Sequence, residues 1–226
     1  MNEELDEKTM NEELDEKAMN EELILNARKP KGELGFQMIE IMNESHKELA
    51  KWGINHLKIN ESDIILDIGC GGGVNVKTFS EMSPNGKIYG LDYSKISVQK
   101  SRQLNELAVD EGRVEIILGS VSKLPFKNET FDIVTAFQST YFWPNFHEDL
   151  KEVNRVLKPN GFILICNGDT KKDLWGEDFE KLVKLLDQKR YSGAELNSYL
   201  SDAGFSNISI FNKEDTNWVC ALASKL

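Results

Sequence analysis

A chain of 226 residues, 40% hydrophobic and 29% charged, has the size and balance of one ordinary globular domain. No apolar run approaches the roughly 20 residues of a bilayer-spanning helix, and the acid-rich start lacks the apolar stretch of a secretory signal. A formal charge of −11 argues against a broad phosphate-binding surface, so neither nucleic acid nor membrane is an expected partner.

Residues 1–27 are three copies of one nonapeptide: MNEELDEKT, MNEELDEKA and the diverged MNEELILNA. They hold ten acids against Lys8 and Lys17, a formal −8 of the chain's −11. A nine-residue period is neither a heptad nor the about 20–50 residues of a solenoid unit, so the segment reads as a solvated acidic extension. Arg28-Lys29-Pro30-Lys31-Gly32 then forms a basic hinge. Phe36, Met38, Ile39, Ile41 and Met42 follow as an apolar cluster, closed by Asn43-Glu44-Ser45-His46. That stretch suits both a cover over a site and plain packing against a sheet. Ser45 to Lys58 predicts a helix with Leu49, Trp52, His56 and Leu57 on one face, where His56 reads as a packed core histidine.

Ile64 to Ile68 is a short, mostly β-branched run, the pattern of a buried strand. Four glycines between Gly69 and Gly73 leave room for a tight turn and for a ligand to approach bare backbone. The helix expected over Val74–Met82 points its first N–H groups into that turn, which suits polar or anionic groups. Strand, glycine turn and helix make the opening of a nucleotide-binding βαβ unit. Lys87–Leu91 is a second strand with Asp92 at its carboxyl end, where an acid can accept both hydroxyls of a ribose. Tyr93 beside it is placed to pack on a base. The competing role for Asp92 is a helix N-cap, for which Ser94 is equally suited.

Ile96–Ala108 reads as a helix, Val114–Leu118 as a third strand, and Phe131–Phe137 as a fourth. After the fourth come Gln138-Ser139-Thr140 and the aromatic trio Tyr141-Phe142-Trp143. Asn145 and Glu148 approximate a capping box for the next helix, with His147 in its exposed first turn. Leu150, Val153, Val156 and Leu157 are its buried stripe, closed by Arg155–Gly161 before a strand at Phe162–Cys166. Helices near Asp178–Lys189 and Gly193–Ala203 precede strands at Ser206–Phe211 and Trp218–Ala223. Cys70, Cys166 and Cys220 are odd in number and widely spaced, as for the reduced thiols of a cytoplasmic protein, and no metal constellation stands out.

The pattern Asp67-x-Gly69-x-Gly71-x-Gly73 resembles the first motif of the class I S-adenosylmethionine-dependent methyltransferases. Leu124-Pro125-Phe126 matches a usual run of that family, and Arg155–Gly161 resembles its RVLKPGG stretch, with Asn160 at the first glycine. The resemblance spans about residues 60–226 and implies a Rossmann-like α/β fold. That fold has seven strands, mostly parallel, helices on both faces and an antiparallel C-terminal hairpin. Residues 60–226 would then be the cofactor-binding domain, 28–59 an N-terminal helical lid and 1–27 the extension.

The implied chemistry is methyl transfer from S-adenosylmethionine to a small-molecule acceptor. In that reading Gly69, Gly71 and Gly73 admit the cofactor, Asp67 organises the turn and its amino-acid end, and Asp92 holds the ribose. Tyr93, Ser120 and Val121 surround the adenine, although the family often has an acid where Ser120 stands. Gln138 and Trp143 lie where the loop reaches the transferable methyl, and His46 is the first candidate for a base. The Asn/Asp-Pro-Pro-Tyr/Phe motif of many nucleic-acid methyltransferases is missing after the fourth strand. Two other classes stay open: a catalytically silent binding or regulatory protein of this fold, and a nicotinamide-dependent oxidoreductase. Val74, where the dinucleotide fingerprint needs Gly or Ala, counts against the latter. The acceptor and the oligomeric state are left undetermined.

Overall fold

The computed structural model describes residues 21–168 and 177–226, so the two intact nonapeptide copies lie outside the described residues. In chain order come α1 (Gly32–Ser45), α2 (Lys47–Ile54), β1 (Ile64–Ile68), α3 (Val74–Met82) and β2 (Lys87–Asp92). Then follow α4 (Lys95–Leu104), α5 (Glu106–Asp110), β3 (Val114–Leu118), β4 (Phe131–Phe137) and a 3-10 turn at Thr140–Phe142. The chain continues through α6 (Phe146–Val156), β5 (Leu157–Asn167), α7 (Glu177–Leu185), α8 (Gly193–Asp202), β6 (Phe205–Asn212) and β7 (Val219–Lys225). Among the described residues no helix is long and apolar enough to cross a membrane.

The seven strands form one sheet in the order β3-β2-β1-β4-β5-β7-β6. Strands β1 to β5 pair in parallel, and β7 runs antiparallel between β5 and β6. Ile65 and Leu66 are both fully buried although they point to opposite faces, as expected for a central parallel strand covered on both sides. One face packs Leu66, Ile68 and Val134 under Leu150 and Val153 of α6 and Leu196 and Leu200 of α8. The other packs Ile65, Ile88 and Ile133 under residues of α2, α3, α4 and α5. This is the fold the sequence pattern implies.

Three boundaries move for local reasons. The helix expected over 96–108 breaks at Asn105, whose side-chain amide donates to Gly73 O (3.1 Å) and Ser101 O (2.8 Å) instead of facing outward. Asn105 thereby ties the end of α4 to the glycine turn. Arg155 and Val156 close α6 as expected, but Leu157–Gly161, read with them as helix closure, already belongs to β5. Asn160 there adopts a φ of 63°, which Asn tolerates better than most residues. Lys158 pairs with Asp132 at 2.8 Å, and Asp132 also accepts Ile64 N at 2.8 Å, joining the starts of β5, β4 and β1. Finally, folding begins before Arg28. Residues 21–25 are helical, and buried Asn26 accepts from Lys31 N at 2.7 Å, so the described part of the third nonapeptide copy is tied to the segment that follows it.

Candidate active site

The strand order reverses between β1 and β4, and a cavity of about 780 Å³ opens there at the carboxyl ends of the strands. That is where ligands bind in open α/β sheets, and the volume falls in the range of small-molecule sites. Its floor is the turn from β1 to α3. Gly69 N and Cys70 N both donate to Leu91 O, at 2.7 and 3.1 Å, which folds the turn back over β2. Gly69 has a φ of 73°, and a Cβ there would lie 2.4 Å from Ser139 Cβ, so only glycine fits. At Gly71 the situation is reversed: a Cβ would meet nothing within 4 Å, because the backbone faces the open cavity.

Asp92 closes one end of the turn. Its Oδ2 accepts Gly71 N at 3.0 Å and its Oδ1 accepts Ser94 N at 2.8 Å. Ser94, not Asp92, caps α4 by accepting Ser97 N. Asp92 also lines the cavity, so its carboxylate is within reach of hydroxyl donors placed there. Burial raises its pKa above the usual carboxylate value. Tyr93, Ser120 and Val121 line the same end. The Tyr93 hydroxyl donates to Arg28 O and Lys29 Nζ sits 5.1 Å over its ring, so Tyr93 also anchors the segment before α1.

Two residues of the glycine motif lie behind the cavity wall. Asp67 is 1% exposed and does not line the cavity. It lies beneath the turn, opposite its cross-strand neighbour Thr135, whose Oγ1 donates to Asp67 Oδ1 at 2.7 Å. Burial, with the charge of Asp92 added, pushes Asp67 up to about 7. Gly73 is likewise behind the wall: it is the N-cap of α3, and a Cβ there would lie 2.3 Å from Ser101 Oγ. Asp67 and Gly73 thus lie outside the cavity lining and support the turn from below. Gly72, outside the motif's spacing, does reach the cavity and packs against α1, where a Cβ would stand 2.4 Å from Asn43 Nδ2.

The far wall comes from the end of β4. Gln138 has a φ of 53°, a conformation that costs a non-glycine residue about 1 kcal/mol or more. Its backbone N donates to Cys166 O at 2.9 Å, and its Oε1 accepts from Gly168 N and, at 2.6 Å, from Tyr141 OH. A backbone N–H can only donate, so the amide orientation is fixed and Nε2 is left as the donor. Tyr141 and Trp143 are 2% and 4% exposed, and Trp143 packs 5.7 Å from Phe146; half-buried Phe142 completes the aromatic wall. Opposite, His46 lines the cavity at the junction of α1 and α2, and burial lowers it to about 4. The imidazole is therefore neutral at pH 7. Between about pH 6.5 and 4 the unfolded chain takes up the proton that the folded state refuses, so this group makes the domain lose stability on acidification through that window.

His56 stacks on Phe211 at 4.0 Å, away from the cavity, as a packed histidine should, and His147 pairs with Glu148 on the surface at 3.2 Å. The segment before α1, which opens the stretch expected as an N-terminal lid, also lines the cavity. Residues 27–30 cross the cavity as a strap: Ser94 Oγ donates to Pro30 O at 2.7 Å, Arg28 pairs with Asp187 at 3.1 Å, and its guanidinium lies 5.8 Å from the Phe142 ring centre.

A family model described as a methyltransferase domain matches residues 59–208. The chain belongs to that family. The methyl donor of this methyltransferase family is S-adenosylmethionine, which decides between the two cofactor classes left open by the sequence. A demethylmenaquinone methyltransferase of Bacillus mycoides is 30% identical over 122 residues, 54% of this chain and 51% of the relative. A sterol 24-C-methyltransferase of Kluyveromyces lactis is 28% identical over 178 residues, 74% of this chain and 48% of the relative. The chain thus spans about half the length of these two curated relatives. A Haemonchus contortus phosphoethanolamine N-methyltransferase, solved with phosphomonomethylethanolamine and S-adenosylhomocysteine, superposes with a TM-score of 0.72. At 13% identity, over 84% of this chain and 57% of that one, it shares the fold alone.

Proposed function

We propose that this methyltransferase-domain chain methylates a small organic acceptor held against the aromatic wall of the cavity. The reading is carried by one observation: a single cavity joins the Gly71–Asp92 end to Gln138, the aromatic trio and His46. S-adenosylmethionine would supply an electrophilic methyl on a sulfonium, passed to a lone pair of the acceptor while the carbon–sulfur pair returns to sulfur. The backbone at Gly69 and Gly71 admits the amino-acid end, Asp92 accepts from the ribose, and Tyr93, Ser120 and Val121 enclose the base. The Asp92 carboxylate on the cavity wall attracts a positive sulfonium, an attraction that a neutral ligand lacks. Gln138 Nε2 and the Trp143 wall hold the acceptor, which must stand about 3–3.5 Å from the methyl carbon and in line with the bond that breaks. The names of the two curated relatives, for a quinone and a sterol, support an acceptor of this general class.

The test is release of S-adenosylhomocysteine from a panel of quinones, phenols, sterols and amines. Cofactor binding without turnover across the whole panel would leave the chain a silent binder. His46 decides how the acceptor is activated. A base that holds its proton only below about pH 4 drives proton removal weakly, so positioning supplies most of the rate. With an acceptor in hand, kcat of the parent is expected to be flat from pH 5.5 to 8, and His46→Gln to lower it less than about tenfold. A loss of about 10²–10⁴-fold, with an acidic limb that the variant abolishes, would instead make His46 the base.

A further inference from the structure

The cavity lining extends beyond the Gly71–Asp92 end to residues of α2 and α3, and this branch of the lining has a chemical character of its own. Lys47, Ala50, Lys51, Ile54 and Asn55 line it from α2, at the three- and four-residue spacing of one helix face. Val74, Asn75, Thr78 and Met82 line it from α3 in the same manner. Each row covers eight residue steps, about 12 Å of helix. The apolar part of this lining comprises Phe137, Ala50, Ile54, Val74 and Met82, of which Met82 is 40% exposed. An exposed methionine lining a cavity is an apolar surface with nothing yet covering it.

Charge singles this branch out further. The cavity is lined by two carboxylates, Asp92 at the ribose position and Asp187, which is taken by Arg28. Neither belongs to α2 or α3. Lys47 and Lys51 line the branch with no acid opposite them, in a chain whose formal charge is −11. Lys47 is paired only with exposed Glu44 on α1, a contact of little strength, and Lys51 has no ion-pair partner among the described residues. Apolar lining beside one unpaired ammonium group, Lys51, and a second, Lys47, held only by an exposed ion pair suits a molecule that is apolar along its body and anionic at one place.

We infer that the acceptor is an amphiphilic anion. Its apolar body lies along the apolar lining from α2 and α3, its anionic group (carboxylate, sulfonate or phosphate) meets Lys51 and Lys47, and its reactive atom reaches in toward Gln138. The inference rests on the methyl-transfer reading of the cavity and adds the class of acceptor to it. The apolar lining supplies affinity through buried apolar area, and the lysines select which apolar molecules are retained.

Two fluorescent probes of nearly the same shape test this without an identified acceptor: anionic anilinonaphthalene sulfonate and neutral N-phenylnaphthylamine. Both are titrated into the full chain saturated with S-adenosylhomocysteine, whose own affinity is measured first by calorimetry. The sulfonate is expected to bind about tenfold or more tightly than the neutral probe, the scale of one hydrogen bond to a charged group. Lys51→Gln should remove most of that difference, Lys51→Arg should keep it, and Met82→Glu should weaken both probes. Equal binding of the two probes, or a sulfonate affinity indifferent to Lys51→Gln, would overturn the inference while leaving methyl transfer standing. So would a Lys51→Gln variant that loses S-adenosylhomocysteine, since the lysine would then serve the cofactor. A parent chain that does not bind S-adenosylhomocysteine at all would overturn the methyl-transfer reading itself.

Discussion

Replacing Asp92 with alanine is expected to weaken S-adenosylmethionine binding by about 1.5–3 kcal/mol, tenfold to over a hundredfold. The magnitude follows from removing a carboxylate that would accept hydrogen bonds from the cofactor in a buried setting. The same substitution strands Gly71 N and Ser94 N, which now donate to the two carboxylate oxygens. Some of the loss will therefore appear as destabilisation of the glycine turn rather than as a missing contact. Asp92→Asn separates the two: its one amide oxygen still accepts from a backbone N–H, but it no longer offers a charged acceptor to the ribose. Calorimetric titration with S-adenosylhomocysteine, alongside thermal melts of both variants, reads the difference. An unchanged affinity in a folded Asp92→Ala variant would remove Asp92 from the site.

Trp143→Ala is expected to cost about 3–5 kcal/mol of stability, the range for deleting a large aromatic from a packed core. The sequence suggested a ring offered to an acceptor. The structure places it at 4% exposure, against Phe146 and within the cluster that carries α6 and α8. One face meets the cavity and the rest is core. Its loss should lower the denaturant midpoint strongly before any effect on an acceptor can be read. Phe142→Ala, half-buried in the same wall, is the cleaner probe and should leave the midpoint nearly unchanged. A Trp143→Ala variant as stable as the parent would show that the α6 face does not depend on this ring.

The fold was largely legible because its strands are short, β-branched runs separated by turn residues, and because parallel strands buried on both faces leave continuous apolar stretches. Positions contiguous with the glycine turn, such as Gly69, Gly71 and Asp92, were legible for the same reason: spacing along the chain determines where they go. Asp67 was not. Whether its carboxylate meets the cavity or the core depends on the strand beside it, and register places Thr135 there. The roof was legible as a basic hinge opening an expected lid but not by its partner, since Arg28 meets Asp187 across 159 residues of chain. Gly72 depends on Asn43 arriving from another helix. Contacts of that kind leave no local periodicity to read.

The strap over the cavity bears on time rather than on affinity. An ion pair as exposed as Arg28–Asp187 contributes on the order of 0–1 kcal/mol, and hydrogen bonds such as Ser94–Pro30 about 0.5–1.5 kcal/mol each. Closure worth about 2 kcal/mol in total leaves a few per cent of molecules open at any instant, with opening on the microsecond-to-millisecond scale of loop motions. If the strap makes the same contacts whether the cavity is full or empty, arrival and departure slow by the same factor. The equilibrium constant is then untouched, while the residence time of whatever is inside lengthens about thirtyfold. Spent cofactor would leave on the clock of the strap, and raising the salt concentration should hasten it by loosening Arg28 from Asp187.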